Sequence, residues 1–198
     1  MRLLITLFAA ILTSSCATNR EVGLPSPRVA GPAVAQQQAE VYIANLSPQP
    51  MGSEREGIRQ EFTRMFFSGF TDPTASLIGS DAAEHGFHAG QNFRRHCDAS
   101  EVKKTMEDYG YVATEATGKW IVRFEVSVFR PRDVPDQGWW LEGFGDTRYI
   151  YPKKGEETNQ PVYYHISGFL SPKGRYGHLG GYDHEFYATK VVYVKDGG

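Results

Sequence analysis

Four residues near the C-terminus have the types and spacing of a metal centre. His178, Asp183 and His184 lie within the stretch GRYGHLGGYDHEF, and His165 sits on the apolar run before it. Five residues separate His178 from His184, the upper edge of common zinc-ligand spacing. A catalytic zinc takes three protein ligands and keeps one position for water. One expectation is therefore a metal-dependent hydrolase. Gly174, Gly177, Gly180 and Gly181 define the competing one, a tight connection between strands, because glycine supplies left-handed and crowded backbone angles. Ser171-Pro172-Lys173-Gly174 has the Pro and Gly positions of a β-turn. No H-E-x-x-H or C-x-x-C accompanies the histidines. The glycines account for the stretch as a connection, and no cofactor is expected.

Three other groups could do chemistry. Cys97, in NFRRHCDAS, follows two arginines that would favour a thiolate. It falls near a helix C-terminus, where the dipole opposes an anion, and a spare thiol is the simpler expectation. His85 and His88 are spaced to share one helix face and a common ligand; the alternative is a polar face. Trp139, Trp140, Tyr149, Tyr151, Tyr163 and Tyr187 could form a stacking platform for sugars or bases. Many of these rings must instead fill the core. There is no glycine-rich phosphate loop, G-x-S-x-G or nucleotide fingerprint.

The elements that must position these groups divide the chain. SEREGIRQEFTRMFFSGF reads as a helix with a Ser53/Glu56 capping box and Ile58, Phe62, Met65, Phe66 and Phe70 on one face. Asp72-Pro73 reads as a second helix start. In SDAAEHGFHAGQNFRR, Ala82, Gly86 and Gly90 stack on one side, so another backbone is expected close against it. Asp98 and Glu101 open a third helix through Val102 and Met106, stopped by Gly110. Beyond residue 111 the period becomes that of strands. KWIVRFEVSVFRPR alternates as one strand; GWWLEGF, TRYIYPKK, QPVYYHISGFL and HEFYATKVVYVK follow. The expected class is α+β: helices over about 53–110, then a small antiparallel barrel or curled sheet, OB-like or SH3-like.

Residues 51–198 have the length of one domain. Aromatics at 13% supply core volume without disulfides, since Cys16 and Cys97 are the two cysteines. A net charge of −2 is too mild to indicate a nucleic-acid partner. Residues 17 to about 50, rich in Pro, Ala, Gln and Ser, read as a tether with a short ordered piece at AEVYIANL.

MRLLITLFAAILTSSCATN has the charged start, short apolar run and small residues of a secretory signal, covering 1–15. The run is about half the length of a membrane-spanning helix. LTSSCA resembles the lipobox of bacterial lipoproteins, with Thr13 where the family favours Leu. The resemblance implies lipidation at Cys16, and Ala17 after it implies the outer membrane. The alternative is ordinary secretion, with cleavage after Ala17 and a soluble or periplasmic product. Together these features predict an exported, lipid-anchored envelope protein, a non-enzymatic module binding an envelope protein or polymer. The hydrolase using His165, His178, Asp183 and His184 is the alternative.

Overall fold

The computed structural model describes residues 31–72, 76–123, 126–144 and 163–194. Four helices come first: α1 (Gly31–Ala44), α2 (Gly52–Thr71), α3 (Asp81–His96) and α4 (Ala99–Asp108). Five strands follow: β1 (Val112–Arg123), β2 (Val126–Pro131), β3 (Trp139–Gly143), β4 (Tyr163–Leu170) and β5 (His184–Val194). The strands close a barrel in the order β1-β2-β3-β5-β4. This is the expected α+β class, and the order is that of the OB-like alternative. The barrel is mixed rather than antiparallel throughout, because β3 pairs with β5 in parallel.

The glycine stripe of α3 meets α2. A Cβ on Gly86 would lie 2.3 Å from the Phe62 carbonyl oxygen, and one on Gly90 1.9 Å from that of Phe66. Gly69 of α2 answers, its absent Cβ falling 2.0 Å from the Phe87 carbonyl oxygen. The two backbones touch, which fixes α3 against α2 without intervening side chains. Around this contact Phe62, Phe66, Phe70 and Phe93 join Val102 and Met106 of α4 in one core. Phe144, Phe169, Tyr111 and the partly buried Tyr187 join the same cluster from the barrel side. A second cluster, Phe129, Trp139, Leu141, Tyr164, Ile166, Phe186 and Ala188, fills the barrel interior.

Several local expectations are corrected. Residues from Gly31 on are not tether: α1 is a 14-residue helix whose Val34, Ala35, Ala39 and Ile43 are buried. Two of these four are alanine, so the hydrophobic signal is weak, while Gln36 and Gln37 face outward. Glu40 of α1 also accepts from Arg55 (2.5 Å) and Arg59 (2.6 Å) of α2. The two guanidiniums lower the Glu40 pKa. Ser53 caps nothing, since α2 begins at Gly52 behind an unbonded Met51. Asp72 is the C-cap of α2 rather than a new start, and Ser80 caps α3 through the Ala83 amide; Pro73 lies outside the described residues. The Asp98/Glu101 capping box forms as expected, and Gly110 takes a positive φ of 87° after α4.

KWIVRFEVSVFRPR is two strands, not one. Trp120 pairs with Phe129 and Arg123 with Val126, so the chain reverses between Arg123 and Val126. No Gly, Pro or Asn stands between those two positions in the sequence to announce it. The reversal swaps parity, placing Val128 on the outer face opposite Phe129 rather than beside Trp120. GWWLEGF, QPVYYHISGFL and HEFYATKVVYVK supply β3, β4 and β5. TRYIYPKK lies outside the described residues.

Candidate functional site

The loop between β4 and β5 carries His178 and Asp183 of the four predicted metal ligands, His184 opens β5, and the three are dispersed. His184 Nδ1–H donates to the Ser171 carbonyl at 2.9 Å. Asp183 pairs with Lys173 at 3.1 Å. His178 lies exposed in a short turn, His178–Gly180, whose Leu179 has a φ of 57°. His165, on the outer face of β4, shares a 3.0 Å hydrogen bond with Thr117, and its Nε2 lies 3.8 Å from Glu115. Among the described residues, no group of three or more His, Cys, Asp or Glu is placed to hold a metal ion. Gly177 and Gly180 have φ of 67° and 66°, so the connection reading of their glycines is the one the backbone expresses. Asp183 and His184 do share a small polar hollow of about 500 Å³ with Arg130, Asp136 and Lys173, at the end of the barrel.

The aromatic set divides in the same way. Trp139 is core, stacked on Phe186 at 5.7 Å. Tyr187 is buried between barrel and helices, 6.2 Å from Phe67 and 5.7 Å from Tyr111. Trp140 faces outward from β3, but the loop lies on it: Tyr182 is 5.5 Å away and Gly177 abuts its ring. Tyr163 is half-buried on the outer face of β4, with Lys119 and Arg132 over its ring. Tyr149 and Tyr151 lie outside the described residues. Cys97 is the half-buried C-cap of α3, its thiol directed to the Phe93 carbonyl at 3.3 Å. Burial, with Glu101 nearby, pushes that thiol up to about 11, so it is a spare thiol rather than a nucleophile.

One buried titratable pair has no local sequence signal. Tyr111, just before β1, donates its hydroxyl to Glu185 of β5 at 2.5 Å, across 74 positions of sequence. Ser171 accepts from the Glu185 amide at 2.9 Å. Burial raises the Glu185 pKa against the lowering effect of the Tyr111 bond, and Glu142 raises it further. The Tyr111 hydroxyl is itself pushed well above the usual phenol range by burial and by Glu185. The pair sits where barrel meets helices and ties the two together.

A second hollow belongs to the helices. A groove of about 990 Å³ runs between α1 and α3 over α2. Val34, Phe62, Phe66 and Phe93 form its floor, and Tyr42 of α1 and Leu46 just after it form one side. The other side is α3, which presents His85, His88, Asn92 and His96. These recur at helical spacing and share a face, so the pairing of His85 with His88 read from the sequence is part of a longer stripe. His85 and His96 each donate Nδ1–H to the carbonyl four residues back, at 2.8 and 2.7 Å. That hydrogen bond leaves Nε2 as the acceptor of the neutral ring. Tyr42 lies 4.9 Å from the His85 ring across the groove. The arrangement offers an apolar bed with a rim of hydrogen-bonding groups, the make-up of a ligand pocket. Only the His85/His88 pair is legible locally, because the opposite wall is the helix expected to be tether.

The molecule is thus a four-helix layer carrying a groove, set on a five-stranded mixed barrel. Comparison with protein-family models, with curated proteins and with solved structures finds no match to this chain.

Proposed function

We propose that this chain is an exported, lipid-anchored protein of the bacterial cell envelope, held at the outer membrane through Cys16. It acts as a non-enzymatic module that binds an envelope protein or polymer in the groove between α1 and α3. The observation that carries this reading is the groove itself, about 990 Å³ with a floor of buried phenyl rings and a rim of imidazole, amide and phenol groups. Such a surface recognises a partner with an apolar segment and hydrogen-bonding groups beside it. Residues 17–30, fourteen in all, lie between Cys16 and Gly31. At about 3.5 Å per residue they reach at most roughly 50 Å. That is enough to hold the folded domain clear of a bilayer. The partner is not nucleic acid.

Two measurements test the two halves of this proposal. Membrane fractionation followed by a high-salt wash tests the anchor: the wild-type chain stays with membranes, and Cys16→Ala is released. A Cys16→Ala chain that resists the wash contradicts lipid anchoring. Titration with anilinonaphthalene sulfonate tests the groove: saturable one-to-one binding is expected, lost in Ala89→Trp, which fills the groove from α3. Unchanged dye binding by a folded Ala89→Trp protein contradicts it.

A further inference from the structure

The groove between α1 and α3 is uneven in charge. Its lining carries two carboxylates, Asp81 and Glu84, and no Lys or Arg. Both stand in the first turn of α3. Glu61 of α2 lies beside them and accepts from the Ser80 hydroxyl at 2.8 Å. Burial raises the pKa of the Tyr42 phenol, and Asp81 and Glu61 raise it further, so both carboxylates act on that wall of the groove. Among the described residues, none of the three pairs with a Lys or Arg. Arg55 and Arg59, on the same helix as Glu61, are held by Glu40. The positive end of the α3 dipole accounts for Asp81 and Glu84 as helix-starting acids. It does not account for Glu61, which stands in the middle of α2.

The rim also presents acceptors. His85 and His96 each give Nδ1–H to a backbone carbonyl, so Nε2 of the neutral ring accepts. On the opposite wall Asn45 donates its side-chain amide to the Val41 carbonyl at 2.8 Å, which leaves its oxygen as acceptor. Carboxylates and acceptors above a bed of phenyl rings suit a positively charged donor attached to an apolar body. Lys and Arg are such donors, and neither accepts. A polymer bearing carboxylate or phosphate would instead meet Asp81, Glu84 and Glu61 as like charges. Spacing sets the form of the body. Along α3, the rise per residue puts Ala89 about 8 Å and Phe93 about 14 Å from Glu84. An extended chain advances about 3.3 Å per residue, so apolar side chains roughly two to four positions from the cation reach Ala89 and Phe93.

We propose that the groove takes an extended segment of a partner protein, with a Lys or Arg held among Asp81, Glu84 and Glu61 and nearby apolar side chains on the phenyl bed. This partner rests on the groove being the binding site, and it narrows the occupant from protein or polymer to a basic, apolar stretch of protein. The chain to test runs from Ala17 to Gly198, which keeps every described element. The probes are three N-acetylated, C-amidated peptides, Gly-Xaa-Gly-Leu-Phe-Leu-Gly, with Lys, Gln or Glu at the variable position, measured by calorimetric titration. The Lys peptide is expected to bind roughly fivefold more tightly than the Gln peptide, the upper value for a partly exposed ion pair, and the Glu peptide most weakly. Rising salt is expected to compress that order. Asp81→Asn with Glu84→Gln should remove the advantage of Lys over Gln, while binding anilinonaphthalene sulfonate, itself an anion, at least as tightly as wild type. Equal affinity for the Lys and Glu peptides, or a Lys advantage that survives in the double variant, overturns the proposal. So does displacement of the dye by dextran sulfate, or silence of all three peptides on a chain that binds the dye. Failure of the groove itself reads differently, as dye binding left unchanged in Ala89→Trp.

Discussion

The contact between α2 and α3 and the loop between β4 and β5 both depend on glycine, for opposite reasons. At the helical contact Gly69, Gly86 and Gly90 have ordinary helical backbones, and what matters is the missing side chain. In the loop, Gly177 and Gly180 have positive φ, and what matters is the backbone angle. The first use sets the position of one whole element, and with it the wall of the groove above Phe62 and Phe66. The second shapes a local connection that happens to carry histidines. A cluster of polar residues among glycines is therefore weaker evidence of a site than glycines at helical spacing, which report where two elements meet.

The sharpest way to break this comparison is to add one methyl group in each region. Gly90→Ala puts a Cβ 1.9 Å from the Phe66 carbonyl oxygen, so one helix must move. A loss of about 3 kcal/mol is expected, the upper range for overpacking, read from urea unfolding. Dye binding in the groove should weaken with it. Gly180→Ala meets only the flexible Arg175 side chain, at 3.2 Å, and bears the cost of a positive φ. About 1 kcal/mol is expected, with dye binding unchanged. Equal losses at the two positions would show that the helical contact is no more constrained than the loop.

The caps sharpen the same contrast at smaller scale. Asp98→Ala should cost about 1 kcal/mol, because Asp98 accepts from the Ser100 and Glu101 amides. Ser53→Ala should leave the melting temperature unchanged, because Ser53 makes no cap. The Glu185–Tyr111 bond, between β5 and the residue before β1, should show in pH dependence. The folded Glu185 pKa is raised above its ordinary value of 4.5, so its contribution favours folding at low pH. It is lost as pH rises from about 4.5 through the raised folded value. Unfolding measured across that window should show wild type losing stability relative to Glu185→Gln. A wild type that gains stability relative to Glu185→Gln as pH rises would contradict the buried position of this carboxyl.

Much of the architecture was legible where one residue type has one physical use. The Asp98/Glu101 box, the Gly110 stop, the α3 glycines and the alternation in β4 and β5 all read correctly, because cap chemistry and period are local. The division between β1 and β2 did not, since the apolar and charged residues of the sequence continue the strand period through it without a break. Nor did α1, whose buried face is only Gly31, Val34, Ala35, Ala39 and Ile43 and whose neighbours include Pro and Gln. The groove needs both α1 and α3, so missing one wall hid the site. His85 and His88 were visible as a pair, but their partners Tyr42 and Phe62 come from other helices. The Glu185–Tyr111 pair is likewise a product of barrel closure, with nothing in either local sequence to join them.

The central claim is that ligands enter the helical groove and not the polar hollow at the barrel end. Mapping amide chemical-shift changes on the folded protein during titration with anilinonaphthalene sulfonate tests it residue by residue. The account predicts changes concentrated at Tyr42, Ala89, Asn92 and their neighbours, with Arg130, Tyr182 and His184 unmoved. Changes concentrated at Arg130, Tyr182 and His184, with α1 and α3 silent, would contradict it.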